Sequence, residues 1–257
     1  MNEIRYKIFF FHCPKAGGTS IQAALTRATP QASASPPIEN DMVGHTAHSN
    51  WEGFRGYDIY CGHYGKDIFD AVSDGHLAIT NFRHPVSRIA SLYNYFRYDA
   101  VLPEQSAEDG FHAVRFAKDN DFRSFVTCCD PRVAVYTRNQ HVRQLSRSPW
   151  ENTPGSLRRA RDLVTTMPWY YVCEYPDLSQ IWLRDALGLG PIGYENKTTK
   201  GDEAIDPAEL ETDLVEKICL YNVDDLALYC FAVGRLLSRQ SLRRQSPIGL
   251  DSSQIEP

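Results

Sequence analysis

The sequence predicts an α/β fold in which a parallel β-sheet is flanked by helices on both faces, within a single domain that carries a helical insertion. Two observations support this prediction. Short runs that are apolar at nearly every position are typical of strands buried on both faces. These runs alternate along the chain with segments of helix-forming composition, and such alternation produces parallel sheets with helical crossovers.

Four apolar runs are the predicted strands, and they cover residues 8–11, 58–61, 76–82 and 169–173. The first run leads into Pro14, Gly17 and Gly18, which are turn-forming residues. Pro85 suits the first turn of a helix that follows the third strand. From apolar periodicity and capping residues we expect helices over 19–25, 86–98, 158–166, 177–187, 207–220 and 222–238.

The remaining segments lack a strong periodic pattern. Residues 29–56 form an irregular excursion, and residues 99–150 form a mostly helical insertion without a strand. Insertions of this kind tend to shape the substrate site of an α/β enzyme. Residues 188–206 are expected to be a loop, and residues 239–257 a flexible tail, which leaves 1–238 as the domain.

Charge and hydropathy restrict the partners. The 257 residues include 27 basic and 32 acidic side chains, and the net charge of −5 argues against nucleic acid as the main ligand. The same charge balance makes a heavily sulfated polymer a less favoured substrate but does not exclude one. No apolar run approaches the ~20 residues of a membrane span, and the first strand begins by about residue 6, where a signal peptide would otherwise lie. We expect a soluble, cytoplasmic protein with no membrane or nucleic-acid partner.

The seven cysteines show neither a CxxC pair nor zinc-ligand spacing, so no metal site is predicted and a reducing compartment is expected. Cys128 and Cys129 are adjacent. Helix packing explains such a pair more simply than a redox switch does.

The strongest local signal lies in residues 11–20, Phe-His-Cys-Pro-Lys-Ala-Gly-Gly-Thr-Ser. A buried strand here enters a glycine turn and then a helix N-terminus, where backbone N–H groups and the helix dipole favour an anion. Lys15 adds a positive charge, while Thr19 and Ser20 add hydroxyl donors. The segment is P-loop-like but is not a Walker A loop, because its lysine precedes the glycines. The plainer interpretation is a strand–helix turn with a surface lysine.

A second signal lies in residues 80–93, where Arg83 ends the third predicted strand and Ser91 follows two turns into the next helix. The carboxyl end of a strand is the ligand-binding edge of an open α/β sheet. A guanidinium group and a hydroxyl at these positions can hold a second anion. Taken alone, Arg83 and Arg88 would be read as surface charges beside an amphipathic helix.

Together the two segments resemble those of the sulfotransferases that use 3′-phosphoadenosine 5′-phosphosulfate. Residues 15–20 are similar to their 5′-phosphosulfate loop, and Arg-His-Pro-Val-Ser-Arg at 83–88 with Ser91 is similar to their 3′-phosphate motif. The closer likeness is to the heparan and uronosyl 2-O-sulfotransferases. Gly62-His63, Asn-Gln-His-Val-Arg-Gln-Leu-Ser at 139–146 and Asn-Val-Asp-Asp-Leu-Ala-Leu-Tyr at 222–229 resemble further segments of that branch.

Two positions depart from the family pattern. Ala16 stands where a threonine is usual, and the change should matter little because backbone groups make the donor contact at this position. His84 stands where an aspartate is usual, so the bond made by that acid is missing or remade.

The resemblance implies transfer of a sulfuryl group to a hydroxyl or amine of a carbohydrate or small-molecule acceptor, without a metal. Lys15 and His63 would be catalytic, with Lys15 stabilising the leaving oxygen and His63 acting as the base. The histidine would titrate near 6.5 unless its surroundings shift it. The implied donor contacts are Lys15, Ala16, Gly17, Gly18, Thr19, Ser20, Arg83, Ser91, Lys197 and Thr198, and the acceptor contacts are His48, Arg143 and Glu174.

Alternatives remain for the base and for the function. His12, His48 and Glu174 are rivals to His63 as the base. A P-loop kinase or NTPase would need a Walker lysine and a magnesium-binding acid, which the sequence does not offer in position. A catalytically silent nucleotide- or glycan-binding module is the other competing interpretation.

Overall fold

The four strands form one parallel sheet in the order β2-β1-β3-β4. The computed structural model describes residues 6–35, 54–102, 111–147, 153–193 and 204–245. The strands are β1 (Ile8–Phe11), β2 (Ile59–Gly62), β3 (Leu77–Phe82) and β4 (Tyr170–Val172). Ile8 of β1 lies opposite Ile59 on one side and Leu77 on the other. β1 is apolar at every position because all four of its residues are buried. The predicted parallel α/β architecture is therefore confirmed.

Eleven α-helices flank the sheet within the described part of the chain. They are α1 (Gly18–Ala28), α2 (Lys66–Val72), α3 (Pro85–Asn94), α4 (His112–Asp119), α5 (Phe122–Thr127), α6 (Pro131–Thr137), α7 (Gln140–Ser146), α8 (Ser156–Thr166), α9 (Pro176–Leu187), α10 (Thr212–Tyr221) and α11 (Val223–Gln245). None of the described helices combines the length and the apolar character that crossing a bilayer requires.

Three helix predictions need correction. The helix expected over 86–98 is α3 followed by a π-helical turn, Tyr95–Asp99. The helix expected over 207–220 is a 3₁₀ turn, Pro207–Glu209, and then α10, because the backbone at Leu210 is extended. The last helix runs to Gln245 and so enters the predicted tail, since residues 239–245 are mostly good helix formers. The sequence analysis did not predict α2.

The apolar side chains form two clusters. The first surrounds the sheet and includes Phe10, Ile21, Val164 and Trp182 from β1, α1, α8 and α9. The second belongs to the helical insertion and its neighbours, with Ile89, Phe125, Val133 and Ile218 from α3, α5, α6 and α10. The insertion therefore has its own apolar core, which fits the absence of strands among its described residues.

Helices α7 and α11 cap each other's N-termini. The side-chain oxygen of Asn139 accepts hydrogen bonds of 3.1 Å from the backbone N–H groups of Asp224 and Asp225. The carboxylate of Asp225 accepts in return from the N–H groups of His141 (3.1 Å) and Val142 (2.8 Å). Asn139 and Asp225 belong to the segments 139–146 and 222–229, which lie far apart in the sequence. In this structure the two segments lock one helix to the other.

Candidate active site

A cavity of about 610 Å³ opens at the carboxyl edge of the sheet. Each strand is followed closely by a lining residue: His12, His63 and Arg83 come directly after β1, β2 and β3, and Glu174 is the second residue after β4. Ligands of open parallel sheets bind at this edge because the loops that follow the strands converge there. The sheet thus gathers on one cavity four side chains that lie far apart in the sequence.

The loop after β1 is held in place by Asn81 of β3. The backbone N–H of Cys13 donates to Asn81 Oδ1 (2.7 Å), and Asn81 Nδ2 donates to the carbonyls of Cys13 (3.1 Å) and Ala16 (2.8 Å). Asn81 is fully buried. A buried amide that satisfies three backbone groups fixes the shape of the loop. The sequence motifs do not include Asn81, although a polar residue inside an apolar strand could have indicated a special role.

Two glycines have distinct steric roles in this loop. Gly17 has a φ of 80°, a left-handed conformation that favours glycine. Gly18 is the first residue of α1, and a Cβ added there would lie 2.0 Å from the His12 ring. The imidazole of His12 therefore packs directly on the N-terminus of α1. That N-terminus has no side-chain cap from residue 17 and borders the cavity, as its predicted role in anion binding requires.

Lys15 also has a left-handed backbone, with a φ of 62°. Its side chain is part-buried, and its ammonium nitrogen lies 4.3 Å from the centre of the Tyr95 ring. Burial lowers the pKa of Lys15, the nearby Asp99 carboxylate opposes this shift, and the Arg83 guanidinium adds to it. The lysine is therefore a partly desolvated charge that faces an aromatic ring.

Arg83 and Ser91 both line the cavity. The guanidinium Nη1 of Arg83 donates to the carbonyl of Lys15 at 3.1 Å, which ties the loop after β3 to the loop after β1. Ser87 and Tyr95 line the same cavity, four residues before and after Ser91. This helical spacing puts all three on one side of the helix, so the sequence held the signal for the two that were missed.

His63 and His12 lie side by side, with ring centres 4.9 Å apart in an edge-on arrangement. Burial lowers the pKa of His63 to about 4. Burial is the cause, because it disfavours the charged form of the imidazole, and it shifts the pKa away from the ordinary value near 6.5. The Nδ1 atom of His63 is buried and has no hydrogen-bond partner among the described residues. Burial, the His63 ring and the Lys15 charge lower the pKa of His12 as well. Burial thus favours the neutral form of both rings.

Glu174 lines the cavity but is already engaged. Its Oε1 atom accepts a 2.8 Å hydrogen bond from the backbone N–H of His84, at the start of α3. Burial raises the pKa of Tyr229, and the Glu174 carboxylate adds to this shift. A carboxylate from just beyond β4 thus reaches the start of α3 at position 84. This contact favours a supporting role for Glu174 over direct contact with the acceptor.

Arg143 is not among the described residues that line the cavity. The side chain is buried in α7, and its Nη2 atom donates to the carbonyl of Val135.

The other predicted site residues have different surroundings. Ala16 is buried within the loop after β1, and its carbonyl accepts a hydrogen bond from Asn81. Thr19 and Ser20 line the cavity with Gly17 and Gly18. His48, Lys197 and Thr198 lie outside the described residues.

The charged and aromatic lining of the cavity limits the chemistry it can support. Lys15 and Arg83 are the cations among the described lining residues, and Glu174 is the carboxylate. No three His, Cys, Asp or Glu side chains in the described ranges are grouped so as to hold a metal ion. Four aromatic residues, Tyr95, Phe96, Tyr136 and Tyr171, complete the walls. The arrangement can hold an anionic ligand and offers neutral imidazoles as proton acceptors.

No protein-family model matches the sequence, and no curated protein matches it.

Proposed function

We propose that the protein is a sulfotransferase that transfers a sulfuryl group from 3′-phosphoadenosine 5′-phosphosulfate to a hydroxyl or amine of a carbohydrate or small-molecule acceptor. The observation that carries the proposal is the convergence of the two predicted anion-binding segments, joined by the hydrogen bond from Arg83 to the Lys15 carbonyl. The donor carries anionic groups at both its 5′ and 3′ positions, and it needs two such elements in one cavity.

The lining residues fit the two ends of this donor. The P-loop-like turn at Gly17 and Gly18 opens the N-terminus of α1 to the cavity, which suits the 5′-phosphosulfate. Arg83 and Ser91, with Ser87 beside them, suit the 3′-phosphate. Lys197 and Thr198 would add contacts from the loop before the last helices, as the family resemblance implies.

In the proposed reaction, an acceptor oxygen forms a bond to sulfur while the bond from sulfur to the bridging phosphate oxygen breaks. Charge develops on that leaving oxygen, and the Lys15 ammonium stabilises it. The acceptor proton passes to His63, whose imidazole is neutral because burial lowers its pKa to about 4. His12 lies next to His63 and is the alternative base.

A nucleotide kinase or NTPase is the competing proposal with a different chemistry. It gains little support, because the lysine precedes the glycines and because Glu174, the carboxylate among the described lining residues, already accepts from the backbone N–H of His84. A catalytically silent binding module would retain the anion-binding loops but would not need neutral imidazoles beside Lys15.

Calorimetry and a transfer assay together test the proposal. We expect adenosine 3′,5′-bisphosphate to bind in the presence of EDTA, and to bind more tightly than adenosine 5′-phosphate. Tighter binding of ATP with magnesium would favour the kinase. A radiolabelled sulfuryl donor should then label at least one member of a panel of neutral sugars, uronosyl glycans, phenols and amines. Binding without transfer to any of them would favour the silent module.

A further inference from the structure

The helix that follows β3 changes its geometry where it reaches Lys15. After ten α-helical residues the chain makes a π-helical turn, Tyr95–Asp99, which closes with a 2.8 Å hydrogen bond from the N–H of Ala100 to the carbonyl of Tyr95. Such turns interrupt regular helices and are frequent at functional sites because they redirect side chains. This turn presents two of its residues to the lysine.

The contact between Tyr95 and Lys15 has a favourable geometry for a cation–π interaction. The ammonium nitrogen lies 4.3 Å from the ring centre, and the tyrosine is part-buried at the cavity wall. Asp99, at the other end of the turn, raises the pKa of Lys15 against the effect of burial. No hydrogen bond or ion pair joins the ammonium group to any other residue that the structure describes.

An aromatic ring suits this position better than a carboxylate would. A carboxylate in direct contact would occupy the N–H groups of the lysine and repel an anionic donor. The face of a ring attracts the ammonium group while leaving its N–H groups directed elsewhere. The backbone on the other side is also fixed, since the Lys15 carbonyl accepts from Arg83. The backbone and the ammonium group of Lys15 are thus both held in place.

We infer that Tyr95 is a positioning residue that holds the Lys15 ammonium group, through the face of its ring, at the place where the leaving oxygen of the donor develops charge. The inference rests on the proposed function and adds a residue that the sequence motifs did not single out. The aromatic ring of Tyr95, and not its hydroxyl, holds the ammonium group in place.

Three variants test the inference. Tyr95→Leu keeps an apolar side chain but removes the aromatic face, and we expect kcat to fall about 10-fold or more while the donor KM changes less than about threefold. Tyr95→Phe keeps the face and should retain most of the activity. Tyr98→Leu alters another tyrosine of the same turn that does not line the cavity, and should leave kcat unchanged.

A second measurement does not depend on turnover. The lysines are reductively methylated with ¹³C, the Lys15 resonance is assigned with Lys15→Arg, and its titration is followed by NMR. Loss of the ring should lower the Lys15 pKa in Tyr95→Leu but not in Tyr98→Leu, because the ring stabilises the charged form. Thermal unfolding followed by circular dichroism establishes that each variant is folded.

The outcomes separate the two proposals. Unchanged kcat and an unchanged Lys15 titration in folded Tyr95→Leu would overturn the role of Tyr95. An equal loss in Tyr95→Phe would also overturn it, because the hydroxyl would then be responsible. If the unaltered protein transfers no sulfuryl group to any acceptor, the proposed function fails, and the titration still decides whether Tyr95 holds Lys15.

Discussion

The guanidinium group of Arg83 donates a 3.1 Å hydrogen bond to the backbone carbonyl of Lys15. This bond joins residues from the loops after β3 and after β1, and it does so at a lysine with a left-handed backbone. Arg83 therefore has two tasks in the proposed site: it supplies charge for a phosphate, and it fixes the loop that carries Lys15.

Arg83→Ala should weaken binding of adenosine 3′,5′-bisphosphate roughly 10- to 100-fold, which corresponds to about 1.5–3 kcal/mol for a lost charge-assisted contact. Adenosine 5′-phosphate is the control ligand in the same calorimetric titration. Its binding should weaken less, through the loosened loop alone. An equal loss for both ligands would show that Arg83 does not read the 3′-phosphate.

Lys15→Ala should lower kcat by roughly 10²- to 10³-fold and donor affinity by less than about 10-fold. The ammonium group is expected to matter most when charge develops on the leaving oxygen, and stabilisation of the transition state appears in the rate. Single-turnover kinetics and calorimetry on the same preparation separate the two quantities. Near-normal turnover with weak donor binding would mean that Lys15 binds the donor but does not contribute to the rate.

His63→Ala should lower turnover by roughly 10²- to 10⁴-fold for a hydroxyl acceptor, with little change in donor binding. The matched variant is His12→Ala. If His63 is the base, the loss in His12→Ala should be smaller. A larger loss in His12→Ala, with near-normal turnover in folded His63→Ala, would transfer the role of base to His12.

The pH profile follows from the lowered pKa of His63, about 4, because only the neutral imidazole accepts a proton. From this group we expect kcat to be nearly constant above about pH 5 and to fall as the pH approaches the pKa. A sigmoidal rise centred near pH 6.5 would contradict this assignment of the pKa. Turnover measured from pH 4.5 to 8 at saturating donor concentration gives the profile.

Gly18→Ala should abolish most donor binding and destabilise the protein, because the new Cβ would meet the His12 ring at 2.0 Å. Gly234→Ala is the matched control within α11, where an added Cβ meets nothing within 4 Å. That variant should be more stable by about 0.5–1 kcal/mol, the usual advantage of alanine over glycine in a helix. Chemical denaturation measures both changes. A Gly18→Ala protein as stable as Gly234→Ala would mean that His12 moves aside freely.

The strand pattern was predictable from the sequence because parallel strands buried on both faces are apolar at most positions, as in residues 8–11. The lining roles of Lys15, Arg83 and Ser91 were predictable too, since each follows from a motif of adjacent residues. The role of Asn81 was not assigned, because its partners, the backbone groups of Cys13 and Ala16, come from a distant loop. The burial of Arg143 in α7 was not predictable either, because a motif carries no information about burial. No motif in the sequence marks the π-helical turn at Tyr95–Asp99.

The central place of β1 has a consequence for synthesis on the ribosome. Ile8–Phe11 leaves the ribosome before β2 and β3, yet it pairs with both, and β3 ends only at Phe82. At about 5–20 residues per second, several seconds of translation separate the strand from its second partner. During that interval Phe9, Phe10 and Phe11 have no sheet to enter. The nascent chain therefore presents three consecutive phenylalanines with free strand edges, which is the kind of segment that chaperones bind and that aggregation begins from.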